Sequence, residues 1–345
     1  MTMRKASIAA IEYALPAHEI TNDELDRLHP EWRMRDVVRR TGVESRRWCT
    51  LEETALDLGV TAAGQLLARL AMPTRAIDSV LFCTQTPDFV MPPNACLLQE
   101  RLGLSTSVAT LDFTHACSGF VYGLYLGKSL IESGAAENVL LVTAETYSKW
   151  ISPEDRGPAT LFGDGAAATL LSAGAGDISR VFLGTDGAAA GIFCVPAGGA
   201  RAPRSAATAS IVADRHGNAR SADHLLMEGA AVLAFVQRAI PPFVEQMLLA
   251  LGETWESIDL VVFHQASKVT LDALVARLRV PREKVFTNLA RVGNTVSASI
   301  PIALRDAEQQ GRIAPGARVL LVAFGVGMSW AGCLVTWPGR SVRHA

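Results

Sequence analysis

The chain has 345 residues, 49% of them hydrophobic and 19% charged, with a formal net charge of −2. That length holds two domains or one duplicated one, and the balance is ordinary for a soluble globular enzyme. A near-neutral charge gives no broad attraction to nucleic acid or membrane surfaces, and no apolar run reaches the length of a membrane span.

The N-terminus, Met1 to Ile8, runs straight into a strand pattern and lacks the apolar core of a secretory signal. Residues 5–12 read as that first strand. Thr21-Asn22-Asp23-Glu24 reads as a helix start, with Thr21 or Asn22 as cap. Trp32 to Arg47 is rich in Arg. Residues 52–71 carry Ala, Leu and Val on one helical face, Ile77–Cys83 is a short apolar strand, and Asn94–Leu102 is a helix closed by Gly103. Val108–Phe113 reads as a buried strand and Ser118–Ser133 as the helix after it. Asn138–Thr143 is apolar throughout, as in strands buried on both faces. Residues 159–171 place apolar stretches around Gly163-Asp164-Gly165, a hairpin signal and not a phosphate loop. Residues 197–223 are rich in Gly, Ala, Ser and Arg with little periodicity, which predicts a long exposed excursion. A helix follows from Met227 to about Leu251, then a strand, Ile258–Phe263, ending at His264. Leu271–Leu278 is helical, and Gly293-Asn294-Thr295 opens a helix through Ala307. An apolar strand, Arg318–Ala323, and a last strand, Trp330–Trp337, flank Phe324-Gly325-Val326-Gly327.

Two pairs of these segments match at one offset. Ile77–Phe82 matches Ile258–Phe263, and Asn138–Val142 matches Arg318–Val322, both about 180 residues apart. The pattern predicts an α/β protein with duplicated halves, 1–175 and 176–345, built on mainly parallel sheet. Cys117 belongs to the first half and sits on a strand-to-helix turn, where free backbone N–H groups and the helix dipole favour a thiolate. Gly119, Gly123 and Gly127 leave one stripe of its helix bare, so that helix is expected to pack at close range. His264 and Asn294 belong to the second half. If pseudo-symmetry brings the strand ends together, nucleophile, imidazole and amide meet at the seam. Cys49, Cys83, Cys96, Cys117, Cys194 and Cys333 are scattered, without C-x-x-C or zinc spacing. Free thiols in a reducing cytoplasm and no metal site are therefore expected.

Asp112-Phe-Thr-His-Ala-Cys-Ser-Gly-Phe120, His264-Gln-Ala-Ser267 and Gly293-Asn-Thr-Val-Ser-Ala-Ser299 resemble, in order and spacing, the catalytic motifs of β-ketoacyl-acyl-carrier-protein synthase III, one of the thiolase-like condensing enzymes. Arg40-Thr-Gly-Val43, Asp155-Arg-Gly157, Phe162-Gly-Asp-Gly-Ala166, Met227-Glu-Gly229, Gly311–Gly316 and Ala323–Trp330 extend the resemblance along nearly the whole chain. It implies a layered αβαβα thiolase-like fold, usually homodimeric, and a decarboxylative Claisen condensation without metal or organic cofactor. Cys117 would take an acyl group from an acyl-CoA. His264 and Asn294 would hold the thioester carbonyl of a malonyl-acyl-carrier protein, and the backbone N–H groups of Cys117 and Val326 would form the oxyanion hole. Arg40, Arg156, Gly229 and Ser267 match coenzyme A-binding positions, and Met91 and Phe324 match acyl-pocket positions, Met91 reaching the neighbouring subunit. The chain departs from the family where Ser267 and Ala230 replace Asn, where Val269 replaces a carrier-docking Arg beside Lys268, and where the adenine-packing Trp aligns near Asp36, with Trp32 close by. His115 is unusual beside the nucleophile and is read as environment. The competing functions are acyl transfer from Cys117 to a non-malonyl acceptor, and a non-catalytic partner subunit.

Overall fold

The computed structural model describes residues 4–174, 176–215 and 217–338. The first sheet contains β1 (Ala6–Ala14), β2 (Ser79–Cys83), β3 (Ala109–Phe113), β4 (Asn138–Glu145) and β5 (Gly165–Ala173), in the order β1-β5-β4-β2-β3. The second contains β6 (Asp177–Ile178), β7 (Phe182–Thr185), β8 (Leu260–Phe263), β9 (Arg318–Gly325) and β10 (Ser329–Thr336). Its order is β8-β9-β10, with β6 and β7 both pairing β10. Val285 makes a parallel bridge to Val261 on the free side of β8, where β3 lies in the first sheet. The two orders therefore match strand for strand. The boundary expected at 175 falls on a residue outside those described.

Both sheets are mixed and not mainly parallel. β2 pairs β3 and β4 in parallel, but β5 runs antiparallel to β1 and β4, and β10 antiparallel to β9. Only three residues join β9 to β10, and so short a link permits a hairpin and not a crossover.

Helices α1 (Ala55–Leu70) and α2 (Asn94–Arg101) cover the outer face of the first sheet, and α4 (Gly229–Leu251) and α5 (Lys268–Leu278) that of the second. Helix α1 starts at a reciprocal Thr54–Asp57 cap, which satisfies two otherwise unpaired backbone donors. Between the sheets lie α3 (Gly119–Glu132) and α6 (Ser299–Gln309), giving five layers. Helix α3 touches strands of both sheets. Its glycine stripe makes this possible: a Cβ on Gly123 would lie 2.5 Å from a Leu141 methyl, and one on Gly127 2.4 Å from a Leu171 methyl. Among the described residues three large apolar clusters fill the layers, one under α1, one between the sheets, and one beneath α4 and α5, with a small fourth at Ala167, Ala298 and Ile302.

Two local readings are corrected. β3 is an edge strand with Leu111 49% exposed, not a buried one, because nothing among the described residues pairs its outer side. Gly163-Asp164-Gly165 is not a hairpin turn. Asp164 is fully buried, and its carboxylate accepts from the backbone N–H groups of Cys49 (2.8 Å) and Ser148 (3.0 Å) and from the Ser148 hydroxyl. The 197–223 excursion is mostly exposed, as expected, and is tied to the body through Arg220 and Asp155 at 2.9 Å.

Candidate active site

Cys117 lies on the turn between β3 and α3 and is 3% exposed. The β9–β10 turn packs directly on it. A Cβ on Gly325 would fall 2.6 Å from Cys117 Cβ and 2.7 Å from its sulfur, so the approach requires glycine. The backbone N–H groups of Val326 and of Cys117 itself both reach the thiol. Two buried hydroxyls hold this pair together. Ser329 donates to the Val326 carbonyl (2.9 Å), which leaves Ser118, next to Cys117, to donate to Ser329 (2.7 Å).

The thiol itself differs from expectation. Burial, with Glu145 second, pushes it up to about 12, outweighing the two N–H groups that favour the thiolate. At neutral pH the side chain is therefore a protonated thiol, because it is buried.

His264 follows β8, its backbone N–H bound to the Val322 carbonyl at 2.8 Å. Burial lowers its imidazole to about 3, so the ring is neutral. Nδ1 meets the Ser299 hydroxyl at 2.7 Å, and the ring stands edge-on to Phe324. A neutral ring that accepts the Ser299 hydrogen at Nδ1 carries its own on Nε2 and can donate it. Asn294 is fixed by its loop. Its backbone N–H donates to the Leu161 carbonyl (2.9 Å), and its carbonyl accepts from the Gly163 N–H (3.0 Å). Gly293 before it has φ +67°, and a Cβ there would meet the Leu161 carbonyl at 2.9 Å. The side-chain Oδ1 accepts the Val296 N–H at 2.9 Å, which orients the amide so that Nδ2 donates one hydrogen to the Ala266 carbonyl at 3.4 Å and keeps its second for another acceptor.

Cys117, His264 and Asn294 meet on one cavity of about 90 Å³, walled by Leu161, Phe162 and Phe324 and also lined by Gly229 and Ser267. The remaining expected residues lie elsewhere. Arg40 is exposed on the Met34–Thr41 helix, and Arg156 is half-buried at the start of the Arg156–Ala159 helix. Neither lines the cavity, and neither guanidinium has a partner among the described residues. Met91 does not line it either. It is 78% exposed beside Phe89 and Val90, in the segment leading into α2, which this chain leaves uncovered. Trp32 is buried and stacked on His29 at 3.9 Å, so that face is covered.

Sequence reasoning missed Glu145. It ends β4, is fully buried, and burial raises it to about 8. A charged residue closing an otherwise apolar strand was the available signal. It also missed Ser299, Ser118 and Ser329, whose roles depend on partners distant in sequence.

The 3-oxoacyl-[acyl-carrier-protein] synthase III model matches residues 111–187, and the model of that family's C-terminal part matches 248–337. Among curated relatives, a β-ketoacyl-[acyl-carrier-protein] synthase III 3 of Streptomyces coelicolor is 38% identical over 97% of this chain and 98% of its own. A synthase III of Chlamydia caviae is 35% identical over 96% and 97%. Among solved structures, a 3-oxoacyl-(acyl-carrier-protein) synthase III is 44% identical with a TM-score of 0.94, covering 96% of this chain and 100% of its own. A 3-oxoacyl-(acyl-carrier protein) synthase from Burkholderia xenovorans is 34% identical with a TM-score of 0.89, covering 97% and 95%. With relatives this similar along nearly its full length, and with the thiol, imidazole and amide on one cavity, the chain belongs to the 3-oxoacyl-[acyl-carrier-protein] synthase III family.

Proposed function

We propose that the chain condenses an acyl-CoA with a malonyl-acyl-carrier protein through an acyl-Cys117 intermediate, releasing a 3-oxoacyl-carrier product. The observation that carries this is the division of one cavity into two donor pairs. Two backbone N–H groups converge on the thiol, and two neutral side-chain donors line the same cavity.

In the first step the Cys117 sulfur bonds to the acyl carbonyl carbon. The Cys117 and Val326 N–H groups hold the oxyanion, the C–S bond to coenzyme A breaks, and the thiol proton leaves with that sulfur as free coenzyme A. In the second, the malonyl thioester oxygen accepts from His264 and Asn294. The bond to the carboxylate breaks, CO2 departs, and the electron pair passes into an enolate stabilised by those donors. The enolate carbon bonds to the acyl carbonyl carbon and the bond to Cys117 sulfur breaks. Cys117 then regains a proton from solvent. Two neutral donors suit this step, since His264 stays uncharged through the working pH range. Thiol and donors carry every step, so no metal or organic cofactor is assigned; coenzyme A enters as part of the substrate.

Gly229 and Ser267, on the cavity wall, suit the pantetheine arm, and the unpaired guanidiniums of Arg40 and Arg156 suit the phosphorylated nucleotide end. A homodimer fits the open side of β3: Asp112 on that strand caps α2 through the N–H groups of Asn94 and Ala95, so the exposed Val90 and Met91 lie in the segment beside the unpaired edge. In such a dimer Met91 would close the neighbour's acyl pocket, opposite Phe324. Unpaired cysteines suit a reducing cytoplasm. Among the described residues no helix is long and apolar enough to cross a membrane.

The test is intact-mass measurement after incubation with a panel of acyl-CoAs, then with malonyl-carrier protein. An adduct on Cys117 that disappears with CO2 release supports the condensation. An adduct that persists favours another acceptor, and no adduct from any acyl-CoA points to a carrier-borne donor or a partner subunit.

A further inference from the structure

The acid at the end of β4 has no use in the steps above. Glu145 is fully buried, and no Lys or Arg pairs with it among the described residues. Its carboxyl gathers three donors: the Gln85 N–H (3.0 Å) and Thr86 hydroxyl (3.4 Å) on Oε2, and the Ser297 hydroxyl (2.9 Å) on Oε1. The Thr86 hydroxyl in turn accepts the Thr146 N–H at 2.9 Å. Gln85 and Thr86 follow β2 in the first half. Ser297 comes from the second half, three residues beyond Asn294. One side chain thus joins two strands of the first sheet to the loop that presents the amide.

That loop needs holding. The aim of the Asn294 amide is set by Val296 N–H on Oδ1. Val296 has φ +53°, a backbone state that a β-branched residue adopts only where its surroundings impose it. Ser297, the next residue, is the point at which Glu145 imposes it.

We infer that Glu145, acting through Ser297, is a positioning residue for the Asn294 amide in the condensation step. It rests on the function proposed above. The groups facing Glu145 are Cys83 on β2, Cys117 before α3, Tyr147 after β4 and Asp164 before β5. None is cationic, and burial favours the protonated acid. The hydroxyls of Ser297 and Thr86 can each accept its hydrogen. Ionised, Glu145 would add negative charge beside a site where an enolate must form. Once Cys117 is acylated it no longer titrates. Cys83 and Tyr147 lie well above their usual ranges and Asp164 at about 6, which leaves Glu145 to titrate near pH 8.

The experiment measures the two half-reactions separately in E145A, E145Q and S297A. Acylation is followed by mass from acyl-CoA, and condensation by single turnover of the pre-acylated enzyme with malonyl-carrier protein. Condensation falls about tenfold or more in E145A and S297A, the scale of a small misplacement of a reacting group, while acylation stays within about threefold. E145Q keeps an acceptor for Ser297. It recovers most of the rate lost in E145A, and it lacks the decline above pH 8 that the parent shows. Condensation at the parent rate in S297A and E145A overturns the inference, as does an equal fall in both half-reactions, which marks general packing. A high-pH decline that persists in E145Q removes the charge from the argument. If the parent takes up no acyl group from any acyl-CoA, the function beneath the inference fails, a result obtained before any variant is compared. Should E145A not fold, S297A alone decides the positioning.

Discussion

Asn294→Asp changes one NH2 to oxygen and little else. The retained Oδ1 still accepts the Val296 N–H at 2.9 Å, so the loop keeps its anchor. The other oxygen replaces the donor, and it now stands about where Nδ2 was, 3.4 Å from the Ala266 carbonyl, acceptor against acceptor. Losing one hydrogen-bond donor to a developing oxyanion costs about 3–4 kcal/mol, or roughly 10²–10³ in rate. A full negative charge about 4 Å from the enolate adds about 4 kcal/mol more at an effective dielectric of about 20. Condensation should therefore fall at least about a thousandfold at pH 7. Because burial favours a protonated carboxyl, which can donate, the variant's rate should recover as the pH is lowered. The assay is single turnover of enzyme already acylated on Cys117, so that any effect on acylation is bypassed, with CO2 and 3-oxoacyl product both counted. A variant that condenses within about tenfold of the parent at pH 7 would falsify the donor assignment.

Gly325→Ala places a methyl 2.7 Å from the Cys117 sulfur and should cut acylation at least about a hundredfold, since the nucleophile must move. The overpacking itself should cost about 1–3 kcal/mol, visible as a lowered but cooperative melt; normal adduct formation from acyl-CoA would show that the turn yields instead. Because the Cys117 thiol is raised to about 12, its alkylation by iodoacetamide should climb about tenfold per pH unit from pH 7 to 10, read on the Cys117 peptide. A plateau by pH 9 would contradict the burial argument. Glu145 is raised from 4.5 to about 8 in the fold, so its contribution is fully present below pH 4.5 and is lost as pH rises through 8. Urea melts of the parent relative to E145Q should lose about 1.4 kcal/mol per pH unit across that window; a constant difference would mean that the folded acid titrates normally.

The apolar strands, the close-packed glycine helix and the three residues that meet on one cavity were legible because each leaves a local mark. Apolar runs, a four-residue glycine spacing, and cysteine, histidine and asparagine at element ends can all be read without knowing what they touch. What could not be read depends on distant partners. β3 reads in sequence as a buried strand despite Thr110 and Asp112, and its edge position follows only from the strand order. Asp164 sits in a sequence that favours a turn, yet its carboxylate is claimed by Cys49 and Ser148. The dipole argument for Cys117 considered one helix end, whereas burial from every side decides the thiol. Met91 carries an apolar side chain that this chain leaves in water, and nothing local in the sequence distinguishes that from a pocket residue.

The Val326 N–H that reaches Cys117 comes more than two hundred residues later in the chain, as the His264 and Asn294 donors come well over a hundred later. During translation the thiol therefore leaves the ribosome long before the groups that give it a purpose. A partly made chain has the cysteine but not the Val326 N–H that joins its own N–H at the sulfur. Completion of the last hairpin, β9 to β10, is the event that brings this second backbone donor to the thiol.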